Sequence, residues 1–171
     1  MRVLRTILFS LCFFPGLFLT AGCDTGDSDD GTDPDEVAGI YLFTEYHFVP
    51  DGAGFSTINV LDTLDAGFTE LLLTSDGDFQ LRYRFVDGGI FHADGSFTVR
   101  PSRVTLTGDP EDAADFERLL LDRTFTLRRD EAQPDILQAD IRKRINPSAF
   151  SDRYAGVEQM DGVLHLKIER Q

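Results

Sequence analysis

With 171 residues, 42% of them hydrophobic and 15 of them Phe, the chain is long and apolar enough for one domain with a buried core, which excludes a disordered polymer. Its 30 acidic and 16 basic side chains leave a formal net charge of −14, which argues against nucleic acid and anionic lipid head groups as partners. The N-terminal segment differs in kind from the rest. Arg2 and Arg5 precede an apolar run from Ile7 to Leu19, broken only by Ser10 and by Pro15-Gly16. At 1.5 Å per helical residue this run reaches about 20 Å, short of the ~30 Å hydrocarbon core of a bilayer. A positive start, an apolar centre and small residues after it predict a cleavable export signal over residues 1–22.

The stretch Leu19-Thr20-Ala21-Gly22-Cys23 resembles the lipobox of bacterial lipoproteins, with Thr20 where a large aliphatic residue is commonest. The resemblance implies cleavage before Cys23, a diacylglycerol thioether on its sulfur and anchoring to a membrane of the cell envelope, facing the periplasm or the surface. Acyl chains contribute about 0.8 kcal/mol per buried CH₂, so a multiply acylated Cys23 holds the protein on a membrane without a spanning helix. Cys12 leaves with the signal and Cys23 carries lipid, so no disulfide and no cysteine metal site is expected in the mature chain. Loss of Arg2 and Arg5 leaves 14 basic against 30 acidic groups, or −16. Lys143 and Lys167 are the only lysines, a bias that both a high-salt habitat and a GC-rich genome produce.

Residues 24–36 are dominated by Asp, with Gly, Ser and Thr, and predict, together with Cys23, a solvated tether over 23–36. A calcium loop fails on register. Counting from Gly31, Asp30 and Ser28 fit, but Gly26 takes the first ligand position and Val37 takes the place of the closing Glu.

From Val37 to the C-terminus the apolar residues recur with period two, the pattern of half-buried strands. Ile40, Leu42, Tyr46 and Phe48 form one expected face; Phe79, Leu81, Tyr83 and Phe85 form another. Phe97 and Val99, Val104 and Leu106, and Phe125 and Leu127 follow, then Leu137, Ala139, Ile141 and Ile145, and finally Leu164, Leu166 and Ile168. Turn signals separate the runs: Pro50-Asp51-Gly52, Asp76-Gly77, Asp87-Gly88-Gly89, Asp94-Gly95, Pro101-Ser102 and Asp161-Gly162. Eight to ten such strands predict an all-β domain over 37–171, a single antiparallel up-and-down barrel, since closure hides both the edges and the apolar face. Two short helical pieces interrupt it, one opening at Asp109-Pro110 and carrying Phe116, Leu119 and Leu120, the other opening at Asn146-Pro147 and carrying Phe150 and Tyr154, each expected either as a lid or plug against a barrel end or as a plain piece of core.

Gly39-Ile40-Tyr41, Asp76-Gly77-Asp78-Phe79 and Gly95-Ser96-Phe97-Thr98-Val99 leading into Val104-Thr105-Leu106 resemble the lipocalin-like domains of bacterial lipoproteins. The resemblance implies a lipocalin-like barrel that binds a small apolar ligand and performs no catalysis. Its expected walls are the inward aromatics Tyr46, Phe48, Phe79, Tyr83, Phe85, Phe97 and Phe125. An eight-strand barrel is just wide enough either to be filled by side chains or to hold one small ligand, so a solid structural or protein-interaction barrel is the alternative.

Catalytic patterns are lacking. His47, His92 and His165 accompany no Gly-x-Ser-x-Gly elbow, and no phosphate-binding glycine loop with its lysine occurs. Neither a cofactor nor a metal is expected. Alternation sends His47 and His165 to the polar face, where pairing of the first and last strands would bring them together beside Glu45. It sends Arg142 and Arg144 outward and Lys143 inward, where an ammonium at the barrel mouth either anchors the acid group of an apolar ligand or reaches water along its own stem.

Overall fold

The computed structural model describes residues 33–150 and 152–171; the predicted export signal, Cys23 and most of the acidic segment lie outside them. The described residues form nine strands: β1 (Gly39–Pro50), β2 (Ile58–Asn59), β3 (Glu70–Leu73), β4 (Asp78–Arg84), β5 (Ile90–Arg100), β6 (Arg103–Gly108), β7 (Thr124–Asp130), β8 (Gln133–Ile145) and β9 (Met160–Arg170). All neighbours are antiparallel, and β1 pairs with β9 from Tyr41↔Arg170 to Pro50↔Gly162. Eight strands thus close an up-and-down barrel, as the alternation predicts, while the two-residue β2 only covers the free upper edge of β1 at His47 and Phe48. Among the described residues one α-helix is present, α1 (Ala113–Arg118), together with several 3-10 turns.

Alternation fails at one place for a definite reason. Period two puts Ile40 and Leu42 on one face with Tyr46 and Phe48, yet Tyr41 is fully buried and Ile40 is exposed. A β-bulge between Phe43 and Glu45 adds a residue to β1, so the faces exchange across it. Two of the expected turns also lie inside strands. Gly95 is within β5 and Gly162 within β9, and a Cβ at either would stand 2.3 Å from the Thr107 carbonyl oxygen or 2.4 Å from the Phe48 ring. Glycine serves close approach at these two sites. At Asp76-Gly77 it does make the turn, with Gly77 at φ +85°.

The two ends of the barrel are built differently. At one end the strands are joined by short turns, and a 3-10 turn over Pro34–Glu36 closes it. The last residues of the predicted tether are therefore packed. Val37 is fully buried beneath them, its carbonyl accepts from the Tyr41 hydroxyl at 2.9 Å, and Arg129 reaches Glu36 at 2.8 Å. At the other end, the mouth, long connections leave β1, β6 and β8.

Candidate functional site

The connection from β6 to β7 enters the mouth as a plug. Phe116 and Leu119 are fully buried and Leu121 nearly so, and the Phe116 ring lies 6.1 Å from Phe79 and 6.3 Å from Phe125. Gly108 makes room for it: a Cβ there would fall 2.1 Å from the Phe116 ring. The chain then leaves α1 through a reversal in which Leu120 N–H donates to the Glu117 carbonyl and Leu121 N–H to that of Phe116, both at 2.9 Å. That reversal requires a left-handed residue, normally glycine, and Leu120 takes it at φ +58°. The strain costs about 1–2 kcal/mol, against which the nearly complete burial of the Leu120 side chain acts.

Three barrel side chains hold the plug by its carbonyls. The Tyr46 hydroxyl donates to Leu119, the Tyr83 hydroxyl to Asp115 at 3.0 Å, and the Lys143 ammonium to Leu120 at 2.8 Å. Burial raises the pKa of both tyrosines above the ordinary phenol range, and Tyr83 also feels the Asp115 carboxylate. Both phenols therefore stay protonated donors at neutral pH.

Of the expected cavity walls, Tyr46, Phe48, Phe79, Tyr83, Phe97 and Phe125 are all buried in one core cluster with the plug. Phe79 and Phe125 pack on the Phe116 ring, and none of the six lines the cleft at the mouth. Phe85 and Lys143 stand elsewhere. Both border an open cleft of about 560 Å³ at the mouth, whose apolar surface comes from Phe85, Leu120, Ile145 and Phe150 and whose rim carries Arg118, Arg144, Glu117 and Asp122. Lys143 points inward from β8, its side chain 17% exposed, and its ammonium meets the Asp122 carboxylate at 2.9 Å. Asp122 is 63% exposed. Arg144 is engaged by Asp161 at 2.8 Å, which lowers the Asp161 pKa, and Arg118 lies 4.6 Å above the Phe91 ring. Leu120 and Phe150 escaped sequence reasoning as wall residues, because only the fold-back of their loops brings them to β8.

The cleft adjoins a weak place in the wall. β7 and β8 pair at only three register positions, Arg128↔Gln138, Arg129↔Leu137 and Asp130↔Gln133. Along β8 the inward residues Leu137 and Ala139 are buried, whereas Ile141 and Lys143, above the last pairing, are partly exposed.

A second cluster lies on the outer face, where β1 meets β9. His47 and His165 are register partners, with rings stacked at 5.0 Å, and His165 Nδ1 lies 2.6 Å from an Asp140 oxygen. No group of three or more metal-ligating side chains occurs among the described residues.

No protein-family model matches the chain, and no curated protein does. Among solved structures it is similar to a lipocalin-like protein from Bacteroides uniformis ATCC 8492 at 12% identity and a TM-score of 0.45, covering 75% of this chain and 96% of that one. It is also similar to an uncharacterized protein from Bacteroides eggerthii DSM 20697 at 12% identity and a TM-score of 0.39, covering 75% and 98%. The closed strand order of the chain itself defines the barrel.

Proposed function

We propose that the protein is a lipid-anchored envelope module without catalytic activity, held on a bacterial membrane by Cys23, and that its mouth cleft binds a small, mainly apolar ligand with an acidic head. The observation that carries this reading is Lys143, an inward ammonium at the edge of an apolar cleft and partnered by an exposed carboxylate. Asp122 occupies the position a ligand's acid group would take, and its exposure makes it the partner that solvent can most readily replace. A volume of about 560 Å³ falls within the range of small-molecule sites. The aromatic core supplies the rigid wall rather than the pocket.

Fluorescence titration of the full-length chain with 1-anilinonaphthalene-8-sulfonate, an apolar anion, tests this. Saturable binding is expected, weakened at least tenfold in Lys143→Met and tightened in Asp122→Asn. The same probe without its sulfonate should not distinguish the three proteins. Equal affinity of the sulfonate for all three contradicts the assignment of Lys143.

The single buried cluster that joins the inward aromatics to the plug favours a second reading, a solid barrel whose surface serves protein contacts. Absence of any saturable probe binding supports that reading over the first.

A further inference from the structure

The stacked pair on the barrel closure is independent of the cleft and has its own chemistry. His47 and His165 come from the first and last strands of the barrel, 118 positions apart in the chain, and meet only because β1 pairs with β9 in this register. Each is partly exposed, so the rings are accessible to solutes. Their centroids are 5.0 Å apart and their planes 25° from parallel.

Asp140, on β8, fixes the chemistry of one ring. Its oxygen sits 2.6 Å from His165 Nδ1, so in the neutral ring the proton resides on Nδ1 and donates to the carboxylate. Nε2 is then left with a free lone pair. A carboxylate on the far nitrogen of a histidine is the usual support of a metal-binding imidazole: it fixes the tautomer, orients the ring and raises its basicity. Asp140 is itself held in place by Arg128 at 2.5 Å.

The surroundings leave the two rings available. Lys167 is engaged by Glu169 at 2.8 Å and Arg142 by Asp51 at 2.6 Å, so the neighbouring cations are already paired with carboxylates. Glu45, beside His47 on the same face, adds negative charge. Two nitrogens that share one ion at about 2.0–2.1 Å each must lie within about 4 Å of one another. Rings whose centroids are 5.0 Å apart reach that by rotation about their own side-chain bonds, with no movement of the strands.

We infer that His47 and His165 form a two-imidazole site for a divalent transition-metal ion of the nickel, copper or zinc class, with Asp140 as the outer carboxylate that orients His165. Water completes the coordination, which suits an exchangeable surface ion and not a buried structural one.

Calorimetric titration of the untagged full-length chain with Ni²⁺ tests the inference. The parent should bind one ion at least tenfold more tightly than His47→Gln or His165→Gln. Asp140→Asn should lose about 10-fold or more through the freed ring. His92→Gln, three strands away around the barrel, should bind like the parent. Because the cysteines and the acidic N-terminal segment are common to all these proteins, any contribution from them cancels in the comparison. Ni²⁺ should also raise the thermal midpoint of the parent and leave that of the two histidine variants unchanged, while all the proteins melt alike in EDTA. Parent and histidine variants that bind Ni²⁺ equally, or a parent that shows no tight ion, overturn the site.

Discussion

The two ends of the barrel solve one problem, a circle of strand ends above a hydrophobic interior, in opposite ways. The short-turn end is sealed by a few local contacts: the Pro34–Glu36 turn, buried Val37, the Tyr41 hydroxyl on its carbonyl, and Arg129 and Arg170 reaching across. The mouth is sealed from a distance, by a loop that folds inward and delivers Phe116, Leu119 and Leu121 to the centre. A seal made of hairpin turns leaves little to vary. A seal made of a long loop leaves a seam where loop meets barrel, and the cleft with Lys143 lies on that seam.

The largest break in this comparison is Phe116→Ala. Removing the ring that touches Phe79 and Phe125 should cost about 3–5 kcal/mol in urea unfolding, far more than any single change in the Pro34–Glu36 turn. Next come two matched tyrosine changes. Tyr41→Phe at the sealed end and Tyr46→Phe at the mouth each strand a buried carbonyl, of Val37 or Leu119, at about 1–3 kcal/mol. Only Tyr46→Phe should also weaken the anionic probe, because Leu119 adjoins the cleft residue Leu120.

Titration sharpens the contrast in a different way. The folded-state pKa values of Tyr46, Tyr83 and Tyr41 are raised, chiefly by burial. Their contribution is therefore complete below the unfolded phenol value of about 10 and is lost as pH rises above it. Asp65, Asp161 and Glu169 are lowered, chiefly by hydrogen bonds from Arg84, Arg144 and Lys167. Their contribution is present above about pH 4 and lost on acidification. Thermal melts across pH should show a plateau between two falling limbs, and Tyr46→Phe should flatten the alkaline limb only. The smallest effect belongs to Arg142→Ala. Its pair with Asp51 is 70% exposed on the arginine side, so stability should move by no more than about 0.5 kcal/mol.

Much of the wall was legible in the sequence, because period two survives wherever one face is buried. The inward placement of Lys143 follows from the same alternation, and so does the outward pairing of His47 with His165 once first and last strands meet. What stayed hidden needed tertiary information. The bulge before Glu45 has no local signature. Asp94-Gly95 and Asp161-Gly162 carry the chemistry of turns, yet tight packing against Thr107 and Phe48 is what requires their glycines. The turn from β7 to β8 contains no glycine or proline at its tip and is capped instead by Asp130 on the Ala132 N–H at 2.9 Å. Phe116 and Leu119 declare a helix face in the sequence that suits a plug at a barrel end, but nothing local says that its partners are Phe79 and Phe125.

The claim that binding belongs to the seam and not to the interior is tested most directly by methyl NMR of the full-length chain during titration with 1-anilinonaphthalene-8-sulfonate. The methyls of Leu120 and Ile145 should shift saturably while those of Leu71, Leu106 and Leu127 stay in place. Movement of the three core leucines together with the Phe116 ring would contradict the account, since it would mean that the plug leaves and the barrel itself takes the ligand.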